Sequence, residues 1–559
     1  MGGSYINNKY LIEFLKKNNV KKIVLSSGTR NIPFISMVEN DSFFECFSVV
    51  DERNAAFFGM GLSQESREIV AIACTSGTAV SNYVSGVTEA FYSRVPLVVI
   101  TFDRSTYVLN QLETQKIDQM SIFDTITKSN ICLPVIKDEE DIWYCQRILN
   151  EAFIQLNYNG FGPIHINVPF IGSTNELWDD SKNSYISNSI KYIDMVSPFD
   201  DFSEIYNRLM NKKVLILIGQ DINMSNDLKN RLVSFVYSHK IPVITDNLSN
   251  FKSKNNINAE RLFKALDSIT FENIMPDIII TYGLNFQERV KDLFKSKARQ
   301  FEHWMICEDT TIRDCFKSLT LIFNMKLDYY LNKMEGCSFK NDINYLNKLI
   351  SINEKLYIPE LKFSNFSVIK EFSKIIPNNS LLHLSILNST RLMQFFDLNG
   401  SIKVHSNVNT FGIDGCLPTF LGQAFCFDGL AFIIIGDLSF FYGMNALSIR
   451  HINNNVRVLL INNHGGAEFH IPPSSREIKG IDNFIGAGHH FSSKGWVESL
   501  GFKYLSSNNE NDLKEKFKPF ISNSDSPIIL EVFTDINIDG DVTLNTYRDL
   551  EKQLKDILK

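Results

Sequence analysis

Short apolar runs rich in Val and Ile recur along the chain, separated by longer segments in which apolar residues fall three and four positions apart. Continuous apolar runs predict strands buried on both faces, and the intervening spacing predicts the helices that cover them. The first set is KIVL (22–25), VAIAC (70–74), LVVIT (97–101) and IHINV (164–168). A polar stretch of Asn, Ser, Asp and Lys at 171–200 interrupts the pattern. The second set is KKVLILIG (212–219), IPVITD (241–246), DIIITYG (277–283) and HWMICED (303–309), followed by a connecting segment with some helix at 336–366. The third is LLHL (381–384), SIKVHS (401–406), LAFIIIG (430–436), VRVLLIN (456–462) and PIILEVF (527–533). The expected fold is α/β, with three doubly wound parallel-sheet domains at 1–190, 200–335 and 367–559.

A chain of 559 residues accommodates three or four domains at about 150 residues each. Its formal net charge is −7, and no run of Lys or Arg stands out, so neither nucleic acid nor anionic lipid is an expected partner. The longest apolar candidate, GLAFIIIGDLSFF, is interrupted by Asp437 and falls short of the roughly 20 residues that span a bilayer. Nine scattered cysteines form no C-x-x-C pair, and the N-terminal MGGSYINNKY lacks the apolar core of a signal peptide. The expectation is a cytoplasmic protein without membrane attachment.

The segment with the most chemical content is GDLSFFYGMNALSIRHINNNVRVLLINNHGG (436–466). One apolar strand delivers Gly436 and Asp437 to its C-terminal end, and the next delivers Asn462 and Asn463. Ligands of open α/β sheets bind at such strand ends. Asp437 and Asn463 are hard oxygen ligands suited to Mg²⁺ that itself holds a diphosphate. Gly465 and Gly466 let backbone approach closely, and the Gly465 carbonyl is a candidate third ligand. The helix opening at Leu438 and Ser439 presents its positive end to the anion. A strand-end Asp that caps a helix, or an Asn-Gly turn, would explain either half alone, but the two halves at this spacing are not independent.

This arrangement resembles the thiamine diphosphate enzymes, which also require a glutamate at the end of an early strand to activate the cofactor. Glu52, in FSVVDERNAAFFGMGLS, stands where that glutamate is expected. Within these enzymes, SSGTRNIPF (26–34), ACTSGTAVSNYVSGVTEAFYSRVPLVVITFDR (73–104), TQKIDQ (114–119) and FGIDGCLPTFLG (411–422) look like the MenD family. The resemblance runs through the first and third domains and is weak in the middle one. It implies thiamine diphosphate and Mg²⁺ as cofactors, a 2-oxo acid donor, an acceptor, and self-association as a dimer or tetramer with the active site between subunits. Position by position, it makes Glu52 the activating acid, Asp437, Asn463 and Gly465 the metal ligands, and Ile413 the apolar support beneath the cofactor. Ser76, Gly77 and Thr78 would line the pyrimidine side, with Gln115 beside the substrate carbonyl. Thr29, Arg30 and Arg104 would serve the acceptor, Arg391 the donor's distal carboxylate, and Arg289 a substrate contact from the middle domain. Without the resemblance, Glu52 could simply pair with Arg53, Arg104 could be a surface arginine, and Arg289 could lie on a solvated helix face.

The chain departs from the family at several positions. SNVNTF (406–411) has Val408 where the family has an arginine, and Val290 follows Arg289 where another is usual. AEFHIPP (467–473) introduces Glu468 and His470 beside the expected cofactor, making them candidate proton carriers, with Glu468 held partly neutral. His464, His489 and His490 are further candidates, although the last two could be exposed loop residues. Two fewer cations and one more carboxylate predict a MenD-like enzyme, acting on 2-oxoglutarate as the first candidate, whose acceptor has changed. The alternatives are the family's own reaction as a 2-succinyl-5-enolpyruvyl-6-hydroxy-3-cyclohexene-1-carboxylate synthase, a simple 2-oxo acid decarboxylase or acetolactate-type carboligase, and a non-catalytic α/β scaffold.

Overall fold

The computed structural model describes residues 3–170, 202–309 and 311–559. The polar stretch at 171–200 lies outside them. Each apolar run forms a parallel strand, and the strands assemble into three six-stranded sheets. The first contains β1 (Lys22–Leu25), β2 (Glu45–Ser48), β3 (Val70–Cys74), β4 (Leu97–Asp103), β5 (Asn130–Cys132) and β6 (Ile164–Pro169), ordered 2-1-3-4-6-5. The second contains β7 (Val214–Ile218), β8 (Val243–Thr245), β9 (Asn256–Asn258), β10 (Ile278–Tyr282), β11 (Glu302–Cys307) and β12 (Leu319–Asn324), ordered 12-11-10-7-8-9. The third contains β13 (Leu381–Leu384), β14 (Lys403–His405), β15 (Ala431–Gly436), β16 (Val456–Asn462), β17 (Lys503–Ser507) and β18 (Ile528–Phe533), ordered 14-13-15-16-18-17.

The third sheet repeats the strand order of the first. In both, the chain reverses its direction of travel across the sheet beside the first strand, between β1 and β3 and between β13 and β15. A crevice opens at the carboxyl ends of strands where the order reverses, because the following loops leave in opposite directions. The polar motifs after β1, β3 and β15 all fall at these two places.

The chain forms two compact units. The first is built on the first sheet and takes in residues 409–428 and 443–453. Its main helix, Glu52–Ser66, is capped by Asp51, whose side chain accepts from Asn54 N. The helix packs along Cys416–Phe425 through glycines. A Cβ at Gly61 would lie 2.1 Å from the Thr419 carbonyl oxygen, and one at Gly422 would lie 2.3 Å from the Phe58 carbonyl oxygen. Asn445 Nδ2 donates to Asp51 Oδ2 at 2.5 Å, tying the stretch after GDLSFFY to the start of the same helix.

The second unit holds the other two sheets; one core cluster is shared between them and a second lies on the other face of the middle sheet. Part of the chain's 44 phenylalanines is concentrated there. Phe271 meets Phe294 edge to face and Phe316 lies tilted against it, each with ring centroids 5.0 Å away, and Phe372 packs on Phe432 at 5.5 Å. Within the connecting segment, the helix Ile343–Lys355 buries Tyr345, Leu349 and Ile352 in this core. Among the described residues no helix is long and apolar enough to cross a membrane.

The glycine-mediated helix contact gives a direct test. Gly61→Ala or Gly422→Ala lowers the urea unfolding midpoint of its unit by the equivalent of about 1–3 kcal/mol, the usual cost of overpacking. Gly495→Ala, in the helix Lys494–Ser499 where a Cβ would meet nothing within 4 Å, does not lower the midpoint, since an unhindered helical alanine is if anything stabilising. Equal midpoints for all three variants would contradict the close helix approach.

Candidate functional site

In the second unit, β15 and β16 are adjacent and in register, with Gly436 opposite Ile461. This places Asp437 and Asn463 side by side at the carboxyl end of the sheet. Asp437 is 2% exposed. Its Oδ2 accepts from the backbone N–H groups of Asn463 (3.1 Å) and Gly465 (3.0 Å), and its Oδ1 accepts from Leu438 N (2.7 Å). His489 Nε2 lies 3.3 Å from Oδ2, and among the described residues no lysine or arginine pairs with the carboxylate. Burial pushes its pKa up to about 6, against the lowering effect of the backbone donors.

The Asn463 side chain is held from one side only. Nδ2 donates to Asp539 at 2.9 Å, while Oδ1 is buried without a hydrogen-bond partner. A buried amide oxygen left unpaired is costly unless something else fills its place. Gly465 fits close against the neighbouring loop, where a Cβ would lie 2.8 Å from the Gly486 carbonyl oxygen. Its own carbonyl accepts from Ala467 N at 3.2 Å, which leaves a second lone pair. Ser439 Oγ accepts from Ser385 Oγ across the strand-order reversal at 3.1 Å. Among the described residues no three His, Cys, Asp or Glu side chains gather to hold a metal. One carboxylate, one amide oxygen and a carbonyl instead suit Mg²⁺, which takes few protein ligands and completes its octahedron with phosphate and water.

The segment 481–491 lies against this loop. Gly466 N donates to Gly486 O at 2.7 Å, and His489 N donates to His464 O at 3.0 Å. Glu531, fully buried on β18, accepts from Asn462 Nδ2 (2.8 Å), Ser492 Oγ (2.8 Å), Ser493 Oγ (3.0 Å) and Tyr504 OH (2.8 Å). Sequence reasoning passed over Glu531 and Asp539. The partners of Glu531 lie at least 27 positions away, and the amide that Asp539 meets lies 76 positions away, so neither announces itself locally. His489 is half-buried against Asp437, whereas His490 is exposed.

The histidine and glutamate introduced after the glycines are placed differently from expectation. Glu468 forms an ion pair with Arg391 Nη1, so an ion pair stands where a partly neutral carboxyl was expected, and the guanidinium expected to grip a donor is already engaged. His470 is buried, with Nδ1 3.2 Å from Asn537 Oδ1 and Nε2 3.2 Å from Asp482 Oδ1. Arg289 donates to the carbonyls of Leu266 (2.6 Å) and Phe263 (3.4 Å), closing the end of the helix Ala259–Ala265. Val290 and Val408 are both buried in the core.

The first unit brings together a second group at its own strand-order reversal. A Cβ at Gly28 would collide with Thr75 at 2.3 Å, so the loops after β1 and β3 touch only because residue 28 is glycine. Ser76 Oγ is buried without a partner, and Gly77 has φ +83°. A Cβ there would sit 3.5 Å from Gln115 Cα. Arg30, 9% exposed, donates from Nη1 to Gln115 Oε1 at 2.7 Å. Among the described residues no carboxylate pairs with Arg30, and burial followed by the nearby Arg104 charge lowers its pKa. Arg104 pairs with Glu113 at 2.6 Å and donates to Thr114 Oγ1 at 3.1 Å. Glu52 opens its helix half-buried, and Cys74 is pushed up by burial and then by the Glu52 charge. Ile413 is half-buried in the loop before Gly415, where a Cβ would meet the Phe57 ring at 2.3 Å. Thr29 and Thr78 are exposed.

The loop carrying Arg104 and Gln115 is anchored by a residue that the sequence did not single out. Lys116 Nζ pairs with Asp103 at 2.6 Å with side-chain exposures of 4% and 2%, and it also donates to Arg104 O at 3.3 Å. Asn110, Leu112 and Gln115 take positive φ, a strained state for Leu and Gln that the buried anchor offsets. Lys116→Met leaves Asp103 buried and unpaired, which costs about 3–5 kcal/mol and releases the loop. Limited proteolysis then cuts within residues 104–118 at least tenfold faster than in the wild type, and an unchanged rate would show that the pair does not hold the loop.

Residues 8–122 match the family described as thiamine pyrophosphate enzyme, N-terminal TPP binding domain. Proteins named 2-succinyl-5-enolpyruvyl-6-hydroxy-3-cyclohexene-1-carboxylate synthase are similar over almost the whole chain. That of Phocaeicola vulgatus is 34% identical over 97% of this chain and 98% of its own length. That of Flavobacterium johnsoniae is 31% identical over 96% and 97%, and that of Porphyromonas gingivalis is 27% identical over 94% and 93%. The chain belongs to the thiamine diphosphate enzymes and, within them, to the family of the 2-succinyl-5-enolpyruvyl-6-hydroxy-3-cyclohexene-1-carboxylate synthases.

Proposed function

We propose that the chain catalyses this family's own reaction, releasing CO₂ from 2-oxoglutarate and joining the remaining four-carbon acyl unit to isochorismate. Membership makes the chain a thiamine diphosphate-dependent transferase that decarboxylates a 2-oxo acid. The observation that carries the finer reading is the Arg30 guanidinium, nearly buried, facing a second arginine and, among the described residues, paired with no carboxylate. Arg104 already pairs with Glu113, whereas the Arg30 guanidinium has only an amide partner and so favours an anionic ligand, a bidentate grip on carboxylate being what arginine does best. We assign Arg30 and Arg104 to the acceptor's carboxylates and Gln115 to the orientation of the reacting carbonyl.

The expectation of a changed acceptor rested on Val408 and Val290 in place of two arginines. Both isopropyl groups pack into the core of the second unit, so they do not by themselves describe a pocket stripped of charge. That shifts the weight from the changed acceptor to the family reaction.

Bound thiamine diphosphate supplies the electron sink that decarboxylation needs. Asp437, Asn463 Oδ1 and the Gly465 carbonyl hold Mg²⁺ in this reading, Ser439 and the backbone at Gly436, Leu438 and Gly466 serve the diphosphate, and Ser76, Gly77 and Thr78 serve the pyrimidine side. The Glu52 carboxyl holds the activating proton, and Ile413 offers the apolar support. We also read the chain as a homo-oligomer, as the resemblance implies.

A second reading, a donor without a distal carboxylate, is favoured by one observation: Glu468 already occupies Arg391. The purified protein, supplied with thiamine diphosphate and Mg²⁺, separates the two. CO₂ release from 2-oxoglutarate, with an isochorismate adduct seen by mass spectrometry, is the expected result, whereas turnover of pyruvate alone would favour the second reading. Arg30→Met removes charge-assisted hydrogen bonds of about 1.5–3 kcal/mol each, so the KM for isochorismate rises at least tenfold while CO₂ release without acceptor persists. An unchanged KM would remove Arg30 from the acceptor site.

A further inference from the structure

We propose that Asp539 is a positioning residue that fixes which way the Asn463 side-chain amide points, and thereby presents its oxygen to the divalent cation. The inference rests on the proposed reading of Asp437 and Asn463 as cation ligands. An asparagine amide has an acceptor end and a donor end of nearly equal size, so packing alone does not choose between its two orientations. In this structure the choice is made by chemistry: an ionised carboxylate only accepts, and Asp539 Oδ2 receives Asn463 Nδ2 at 2.9 Å. Oδ1 is then forced to the opposite side, where it is buried with no partner.

Asp539 itself has no freedom to turn away. It is 1% exposed and sits in the first turn of the helix Ile536–Leu558, with its N–H donating to Asp535 O at 2.9 Å. Thr534 Oγ1 donates to the same Oδ2 at 2.8 Å, and Asn365 N donates to Oδ1 at 2.8 Å. The next residue is Gly540, where a Cβ would lie 2.5 Å from the His470 carbonyl oxygen. The start of the last helix is therefore pressed directly onto the loop that follows Asn463. Donors from three separate chain segments converge on one carboxylate, whose remaining function is to orient an amide.

Replacing Asp539 with asparagine keeps the shape but supplies a donor, so the Asn463 amide can turn over and withdraw its oxygen. Groups that orient a metal ligand from behind typically contribute about 10- to 100-fold in metal affinity. The test titrates the full chain, saturated with thiamine diphosphate, with Mn²⁺ and reads the free ion by electron paramagnetic resonance. Asp539→Asn raises the Kd for Mn²⁺ at least tenfold. Thr534→Val removes a different hydrogen bond from the same carboxylate and stays within twofold of wild type, with thermal melting confirming that both variants fold. The exchange variant, Asn463→Asp combined with Asp539→Asn, restores an oxygen toward the cation whichever way the new carboxylate turns, and recovers Mn²⁺ binding to within threefold.

An Asp539→Asn protein that folds and binds Mn²⁺ as well as wild type would overturn the assignment, as would an equal loss in Thr534→Val. If the single variant does not fold, the exchange variant decides, and its failure to bind overturns the proposal. Wild-type protein that binds no Mn²⁺ would instead remove the cation site, and with it the reading on which the proposal rests.

Discussion

Asp437 is a carboxylate buried at the end of a strand with no lysine or arginine beside it among the described residues, and much of the third sheet is arranged around that cost. Desolvating a carboxylate is expensive, and backbone donors recover only part of the loss. Here three N–H groups reach it, which requires the chain after β16 to fold back tightly. That turn brings Gly465 against residue 486 and leaves Asn463 Oδ1 beside the same carboxylate without a partner. A buried negative charge and a buried orphan oxygen are unfavourable separately. Together they are what a divalent cation with an anionic ligand satisfies.

The supports behind this pair are also carboxylates, and each is paired with neutral donors. Glu531 gathers Asn462, Ser492, Ser493 and Tyr504, tying the residues just after segment 481–491 to the sheet, and Asp539 gathers Asn463, Thr534 and Asn365. The first unit solves the opposite problem. Arg30 is a nearly buried cation whose direct partner is an amide, on a loop held by the Lys116–Asp103 pair. One unit thus holds a buried carboxylate without a lysine or arginine partner among the described residues, and the other a nearly buried arginine without a carboxylate partner, which is the charge pattern the proposed function rests on.

The central strands were legible because a strand covered on both faces is a continuous apolar run, as VAIAC and VRVLLIN show. The strands that were not expected, β2, β5, β9, β12 and β17, all lie at sheet edges. ECFS, NIC and KYLSS are short or half-polar because one side meets solvent, so their pattern resembles a loop. That Asp437 and Asn463 come side by side was readable because they end adjacent apolar strands. Lys116, Glu531 and Asp539 were not, since their roles come from partners distant in sequence or from depth of burial. Val408 and Val290 show a different limit: a missing arginine was read as a change in a pocket, but side-chain direction, which sequence does not supply, sends both residues into the core.

The central claim is that this chain builds a diphosphate site completed by a divalent cation. Calorimetric titration of the metal-free protein with thiamine diphosphate, in Mg²⁺ and again in excess chelator, tests it most directly. Tight binding in Mg²⁺ that is lost in chelator is the predicted result. Equal binding under both conditions, or none in either, would contradict the account.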